Sequence, residues 1–197
     1  MTTTLPTLRI AALLAALAAA PAAAQTAGAA PPAPAPPPAP VAAPQPAPRP
    51  ADVASVDSLV AALYSVISGP AGRRDWDRFR ALFAPGARII FSISRREGEA
   101  LQRAATVESY IASNGPFMER FDFHEREVAR RTERFGNVAH VWGTFEYETS
   151  DPARPRDRGI NSIQLVYADG RWWVMTLLTA AERPWHPLPA EYLRSTP

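Results

Sequence analysis

Glu125 and Glu127 stand two residues apart in the run Phe123-His-Glu-Arg-Glu-Val128, so on an extended strand their carboxyls share one face. A carboxyl whose pKa is raised by burial can serve as general acid or base near neutral pH, which makes this pair the first candidate for chemistry in the chain. Two polar partners stand out further along. Tyr147 offers a phenol, and Asn161 an amide that can bind a carbonyl or orient a neighbouring side chain. The competing reading is electrostatic, because all 21 cationic residues are arginines and a guanidinium would hold either glutamate as a plain ion pair. His124, His140 and His186 lack ligand spacing, so no metal is expected. The chain has no cysteine nucleophile, no Gly-x-Ser-x-Gly elbow and no glycine-rich phosphate loop, and no cofactor is expected.

Strand alternation must decide which of these groups turn inward. On Val138 to Ser150 one face carries Ala139, Val141, Gly143, Phe145 and Tyr147, and the other carries His140, Trp142, Thr144, Glu146 and Glu148. The first is the more apolar and is assigned to the core. A three-residue loop at Phe135-Gly136-Asn137 sets Arg126 opposite Glu146, His124 opposite Glu148 and Glu125 opposite Tyr147. A two-residue loop would set Glu127 against Glu146, a like-charge clash. The three-residue loop is therefore preferred. It sends Phe123, Glu125 and Glu127 inward and His124, Arg126 and His140 outward.

The closing hairpin, Arg158 to Glu182, turns at Ala168-Asp169-Gly170, since Asp-Gly suits a tight hairpin turn. Asn161, Ile163 and Leu165 are placed inward. Trp172, Val174, Thr176 and Leu178 are expected to face the helices, with Trp173, Met175 and Leu177 on the outer face. Upstream, Val56, Leu59, Val60, Leu63, Val66 and Ile67 recur at helical spacing. Asp75 caps a second helix that ends at Pro85-Gly86, and a strand follows from Ala87 to Ser94. Thr106 caps a third helix, expected to stop at Asn114-Gly115-Pro116. The sum is an α+β domain, three helices on one side of a mostly antiparallel sheet.

The N-terminal 51 residues are read separately. Arg9, the apolar run Ile10–Ala20 and Ala22-Ala-Ala24 before Gln25 read as a secretory signal cleaved after Ala24, which implies a periplasmic or secreted protein with no membrane attachment afterwards. Residues 25–51 are nearly all Ala and Pro. They suit an extended linker, either a spacer, a ligand for Pro-binding modules or, as favoured here, a disordered leader. Residues 52–184 form the domain, and residues 185–197, with Trp185, an extended strap. The formal charge is only +2, and without Arg9 20 arginines face 19 acids, so the pI near 9.4 does not signal a nucleic-acid stripe.

The segment Asp-Trp-Asp-Arg-Phe-Arg-Ala-Leu-Phe-Ala-Pro-Gly-Ala (75–87), the third helix and four strands ending in Asp-Gly-Arg-Trp-Trp-Val (169–174) together resemble the nuclear transport factor 2-like superfamily. The blocks Phe-Gly-Asn-Val-Ala-His-Val-Trp (135–142) and Gly-Ile-Asn-Ser-Ile-Gln-Leu (159–165) look like its exported bacterial members, and the resemblance covers nearly all of 52–182. It implies a cone, or cystatin-like roll, in which a strongly curved sheet wraps three helices around a pocket. Tyr64, Trp76, Phe79, Phe83, Tyr110, Phe145 and Trp172 would line that pocket. The superfamily spans isomerases, dehydratases, cyclases and non-enzymatic binders, so fold does not choose among them. The leading expectation is a binder of a small, largely apolar molecule, assembled as a homodimer through the outer strip Trp173, Met175 and Leu177. The alternatives are an enzyme using Glu125 with Tyr147 or Asn161, and a non-enzymatic interaction module whose pocket is filled by its own side chains.

Overall fold

The computed structural model describes residues 45–194. The expected signal and its cleavage point, and the linker as far as Pro44, lie outside the described residues. No described helix is long and apolar enough to cross a membrane.

Four helices precede or interrupt the strands. A short α1 (Pro50–Val53) leads into α2 (Val56–Ile67) and α3 (Trp76–Leu82), and α4 (Val107–Arg120) lies between the second and third strands. Each of the last three starts on a capping side chain. Ser55 and Ser58 form a reciprocal capping box on α2, Asp75 accepts from the Arg78 N–H, and Thr106 accepts from the Ser109 N–H. The apolar positions of α2 then pack as one stripe, with Leu59 and Val60 fully buried.

Helix α4 corrects one expectation. It runs through Asn114-Gly115-Pro116 to Arg120 instead of stopping there. Pro116 removes one helical hydrogen bond, yet local and tertiary contacts around it hold the last turn. The Asn114 amide donates to the Tyr110 carbonyl at 2.9 Å, Gly115 lies against the Trp76 indole, and Met118 is buried.

The strands are β1 (Phe83–Ile93), β2 (Leu101–Ala105), β3 (Phe123–Phe135), β4 (Val138–Thr149), β5 (Arg156–Ala168) and β6 (Arg171–Ala181). They form one open sheet in the order β2-β1-β6-β5-β4-β3, antiparallel except where β1 runs parallel to β6. The edge strand β2 was not expected. Its sequence, Leu-Gln-Arg-Ala-Ala, has no apolar alternation, and four of its five residues are exposed.

Two bulges set the faces. In the β3–β4 hairpin the loop is two residues, Gly136-Asn137, with Phe135 paired to Val138 and Gly136 at φ +56°, where a II′ turn takes glycine. The expected three-residue loop is therefore wrong. Its register nonetheless holds for the far half of the hairpin, because Val128 is an extra residue on β3, and beyond it His124, Glu125 and Arg126 meet Glu148, Tyr147 and Glu146. In β6 the extra residue is Met175, since Leu165 pairs with Val174 but Gln164 with Thr176. Alternation reverses there. Trp172 and Val174 face inward as expected, but so do Leu177 and Thr179, while Thr176 and Leu178 turn outward, contrary to the sequence reading. The turn itself is Asp169-Gly170, both at positive φ.

The C-terminal segment folds back over the outer face. The Trp185 indole donates to Ser94, and Tyr192, in a 3₁₀ turn (Ala190–Leu193), packs on Trp142 and accepts through its carbonyl from Thr144. Ala129, Thr144 and Ile160, which occupy one row across the outer face, are all buried.

Candidate functional site

Between the helices and the inner face of the sheet lies a cavity of about 430 Å³. That is within the size range of small-molecule sites. Its walls come from α2 (Leu63, Ile67), α3 (Phe79), α4 (Tyr110, Phe117, Met118) and five strands, among them Phe91 on β1, Phe123 on β3, Phe145 on β4 and Leu177 on β6. Stacked rings organise one wall. Tyr110 lies 5.1 Å from Phe79 and 6.3 Å from Phe91 by ring centroid, both nearly parallel. Tyr147 stacks on Phe145 at 6.4 Å and tilts against Phe123 at 5.2 Å.

Glu125 lies in this wall, and the local sequence fixes its backbone firmly. Helix α2 ends at Ser68, whose hydroxyl accepts from the Glu125 N–H at 2.9 Å and donates to the Glu125 carbonyl at 3.0 Å. The next residue, Gly69, at φ +153°, exchanges two backbone hydrogen bonds with Phe123. Arg74 then closes the end of α2, donating to the carbonyls of Ile67, Gly69, Pro70 and Gly72 at 2.8–2.9 Å. These backbone clamps position the carboxyl. Neither Ser68 nor Arg74 was singled out from the sequence, because their roles depend on contacts between α2 and β3.

The Glu125 carboxyl has one side-chain partner, the Asn161 amide, which donates to Oε1 at 3.3 Å and to the Tyr64 hydroxyl at 3.3 Å. Asn161 is 4% exposed and Tyr64 8%. Glu125 is half-buried, and it lines the cavity. Burial raises its pKa to about 7, with the Asn161 hydrogen bond opposing. Burial likewise pushes the Tyr64, Tyr110 and Tyr147 phenols up, so all three stay neutral across physiological pH.

Glu127 has a different environment. The Val128 bulge brings Arg130 onto the same face, and its guanidinium sits 3.1 Å from Glu127 Oε2 while also meeting Asp57 at 2.9 Å. Burial raises this carboxyl too, with Arg130 opposing. Gly143 makes room for it: a methyl there would lie 3.2 Å from Glu127 Oε1 and 3.5 Å from the Tyr64 hydroxyl.

Of the aromatic residues expected at a pocket, Phe79, Tyr110 and Phe145 line the cavity. Tyr64 stands behind Asn161. Trp76 packs edge-on against Phe79, Phe83 is fully buried core, and Trp172 packs between Tyr167 and the Arg134 guanidinium, away from the cavity. Glu125, Tyr147 and Asn161 come together on one wall. His140 sits on the outer face, 2.9 Å from Ser162. Among the described residues no group of three or more His, Asp or Glu residues is placed to hold a metal. Phe91, Phe117, Leu177 and the polar residues Ser92 and Asn114 were missed as lining residues; only the assembled cone brings β1 and α4 to this wall.

This architecture defines an α+β, cystatin-like fold with a cleft between the helices and the sheet. The chain is similar to an uncharacterised cystatin-like protein from Caulobacter vibrioides, at 13% identity over 66% of this chain and 88% of that one, with a TM-score of 0.51. It is also similar to a protein from Exiguobacterium sibiricum assigned as a calcium/calmodulin-dependent kinase II association domain, at 14% identity over 66% and 92%, with a TM-score of 0.51. A nuclear transport factor 2-like protein from Methylobacillus flagellatus aligns at 15% identity over 66% and 95%, with a TM-score of 0.44. No family model and no curated protein matches the sequence. At these identities the likeness establishes fold alone, the cystatin-like fold that the resemblance implied.

Proposed function

We propose that the cone is an exported binding domain for a small, largely apolar molecule seated in the cavity. The observation that carries this reading is the wall itself: aromatic and aliphatic side chains make up much of the lining of a space of about 430 Å³, with Glu125 and Asn161 among its polar groups. Burying an apolar body there contributes about 25 cal/mol per Å² of surface removed from water. The test is thermal: apolar ligands of fitting size should raise the melting temperature of the wild type. They should do so much less when Phe145→Arg fills the cavity. Equal shifts in both proteins would place the ligand elsewhere.

A second reading is favoured by one observation. Glu125, with a pKa of about 7 and no arginine beside it, is suited to proton transfer at neutral pH. If so, the wild type should accelerate deuterium exchange next to the carbonyl of a bound ketone such as 2-tetralone, and Glu125→Gln should abolish the acceleration. No acceleration by the wild type would remove this reading and leave the first.

Association with a second copy belongs to the same proposal. The outer face is covered at one end by the C-terminal segment and bare at the other, where Phe135 and Val138, Val166 and Trp173 form a row beside Met175. Phe135 is 87% exposed and Met175 40%. The similarity to an association domain points the same way. Sedimentation at micromolar concentration should show a dimer that Phe135→Glu disrupts; a wild-type monomer would overturn it.

A further inference from the structure

The charge inventory of the interior singles out Glu125. Among the described residues, Asp52, Glu127, Glu146, Asp157 and Glu182 are half-buried carboxyls that each meet a guanidinium. Asp122, also half-buried, accepts from the Ala71 N–H. Asp122 also interacts with the Arg74 guanidinium, whereas the one side-chain partner of the Glu125 carboxyl is a neutral amide. In a protein with so many arginines, no guanidinium meets the Glu125 carboxyl.

Its hydrogen-bonding valence is also one-sided. Both Asn161 amide protons are engaged, one by Tyr64 and one by Glu125, so Asn161 offers the cavity only its carbonyl oxygen. The ionised Glu125 offers further acceptor positions and no donor. Tyr110, Phe79, Phe145 and Tyr147 supply the aromatic part of the same wall.

We propose that the occupant of this cavity is an apolar amine whose protonated nitrogen pairs with Glu125, supplying both the missing donor and the missing charge, while its hydrocarbon body packs on the aromatic wall. This rests on the binding reading above and specifies its ligand class. The groups facing Glu125 are Tyr64 from α2, Tyr110 from α4, Tyr147 from β4 and Asn161 from β5. None of them changes charge between pH 6 and 8, and Glu127 on β3 is held by Arg130. Arg154, Asp157 and Arg183 also line the cavity; Arg183 is paired to Asp157 at 3.0 Å and Arg154 lies 3.9 Å from Asp151.

A matched set on one skeleton tests the proposal by calorimetry: tetralin, 2-aminotetralin, 2-tetralone and tetralin-2-carboxylic acid, each against the full chain and Glu125→Gln. The amine should bind the wild type at least about tenfold more tightly than tetralin, the scale of a charge-assisted hydrogen bond. Its affinity should rise about tenfold from pH 6 to pH 8 as Glu125 ionises, because a primary amine stays protonated over that range. Glu125→Gln should remove the preference and the pH dependence, with its folding checked separately by circular dichroism and a cooperative urea transition. Tetralin binding without an amine preference would overturn the amine assignment and leave the binding function standing. So would a preference for the ketone, which would mark Glu125 as a neutral donor. Failure of all four ligands to bind would overturn the binding function itself.

Discussion

Glu125 and Glu127 are separated by one residue, share the inner face of β3 and are both partly buried, yet the fold treats them differently. Glu127 has Arg130 at 3.1 Å, brought to the same face by the Val128 bulge, and lies in space that Gly143 leaves open. Glu125 has the Asn161 amide and a cavity wall. The contrast shows that burial alone does not make a carboxyl reactive. A guanidinium turns one into part of the scaffold, and its absence leaves the other's charge unbalanced, a condition proteins tolerate chiefly where a site needs it.

The largest expected effect concerns Glu125. Its pKa rises from about 4.5 in the unfolded chain to about 7 in the fold, so the folded state binds the proton more tightly. The stabilisation this gives the protonated form is fully present below about pH 4.5 and is lost as pH rises through 7, an amount on the order of 3 kcal/mol. Urea unfolding should therefore show the wild type losing stability relative to Glu125→Gln between pH 5 and pH 8. Parallel profiles would mean that the carboxyl is solvated or paired.

Arg130→Ala should come next. Removing the guanidinium leaves Glu127 buried without compensation, at a cost of about 2 kcal/mol at pH 7, below the cost for a fully buried pair because the site is partly open. Much of that loss should return on acidification as Glu127 protonates. A loss that is the same at every pH would locate the effect in the packing of the Arg130 side-chain stem and not in its charge.

The smallest effect tests the space between the two sites. Gly143→Ala places a methyl 3.2 Å from Glu127 Oε1, and should cost about 1 kcal/mol in the wild type but little in Glu127→Ala. Additive losses in the double variant would show that Gly143 is not required by the Glu127 carboxylate.

Much of this pair's setting can be read from residue order. The inward turn of Glu125 follows from alternation and from the register that sets Arg126 opposite Glu146 and His124 opposite Glu148. That register survived a wrong loop length because the Val128 bulge adds back the residue the turn omits. Met175 gave no such compensation, and Leu177 and Leu178 exchanged faces, since nothing in Trp-Trp-Val-Met-Thr-Leu-Leu marks where a strand will bulge. The passage of α4 through Pro116 and the pairing of β2 depend on neighbours distant in sequence. So does the Tyr64–Asn161 hydrogen bond, which joins positions 97 residues apart. Local pattern found the carboxyl, whereas tertiary contacts decided what surrounds it.

The most direct measurement is a carbon-13 NMR titration of the glutamate carboxyls, with Glu125 and Glu127 assigned by their Gln variants. The Glu125 resonance should titrate with a midpoint near 7 while Glu127 remains the more acidic of the two. A Glu125 midpoint at or below the ordinary value near 4.5 would contradict the account, because it would require water or a cation beside the carboxyl that this fold leaves unpaired.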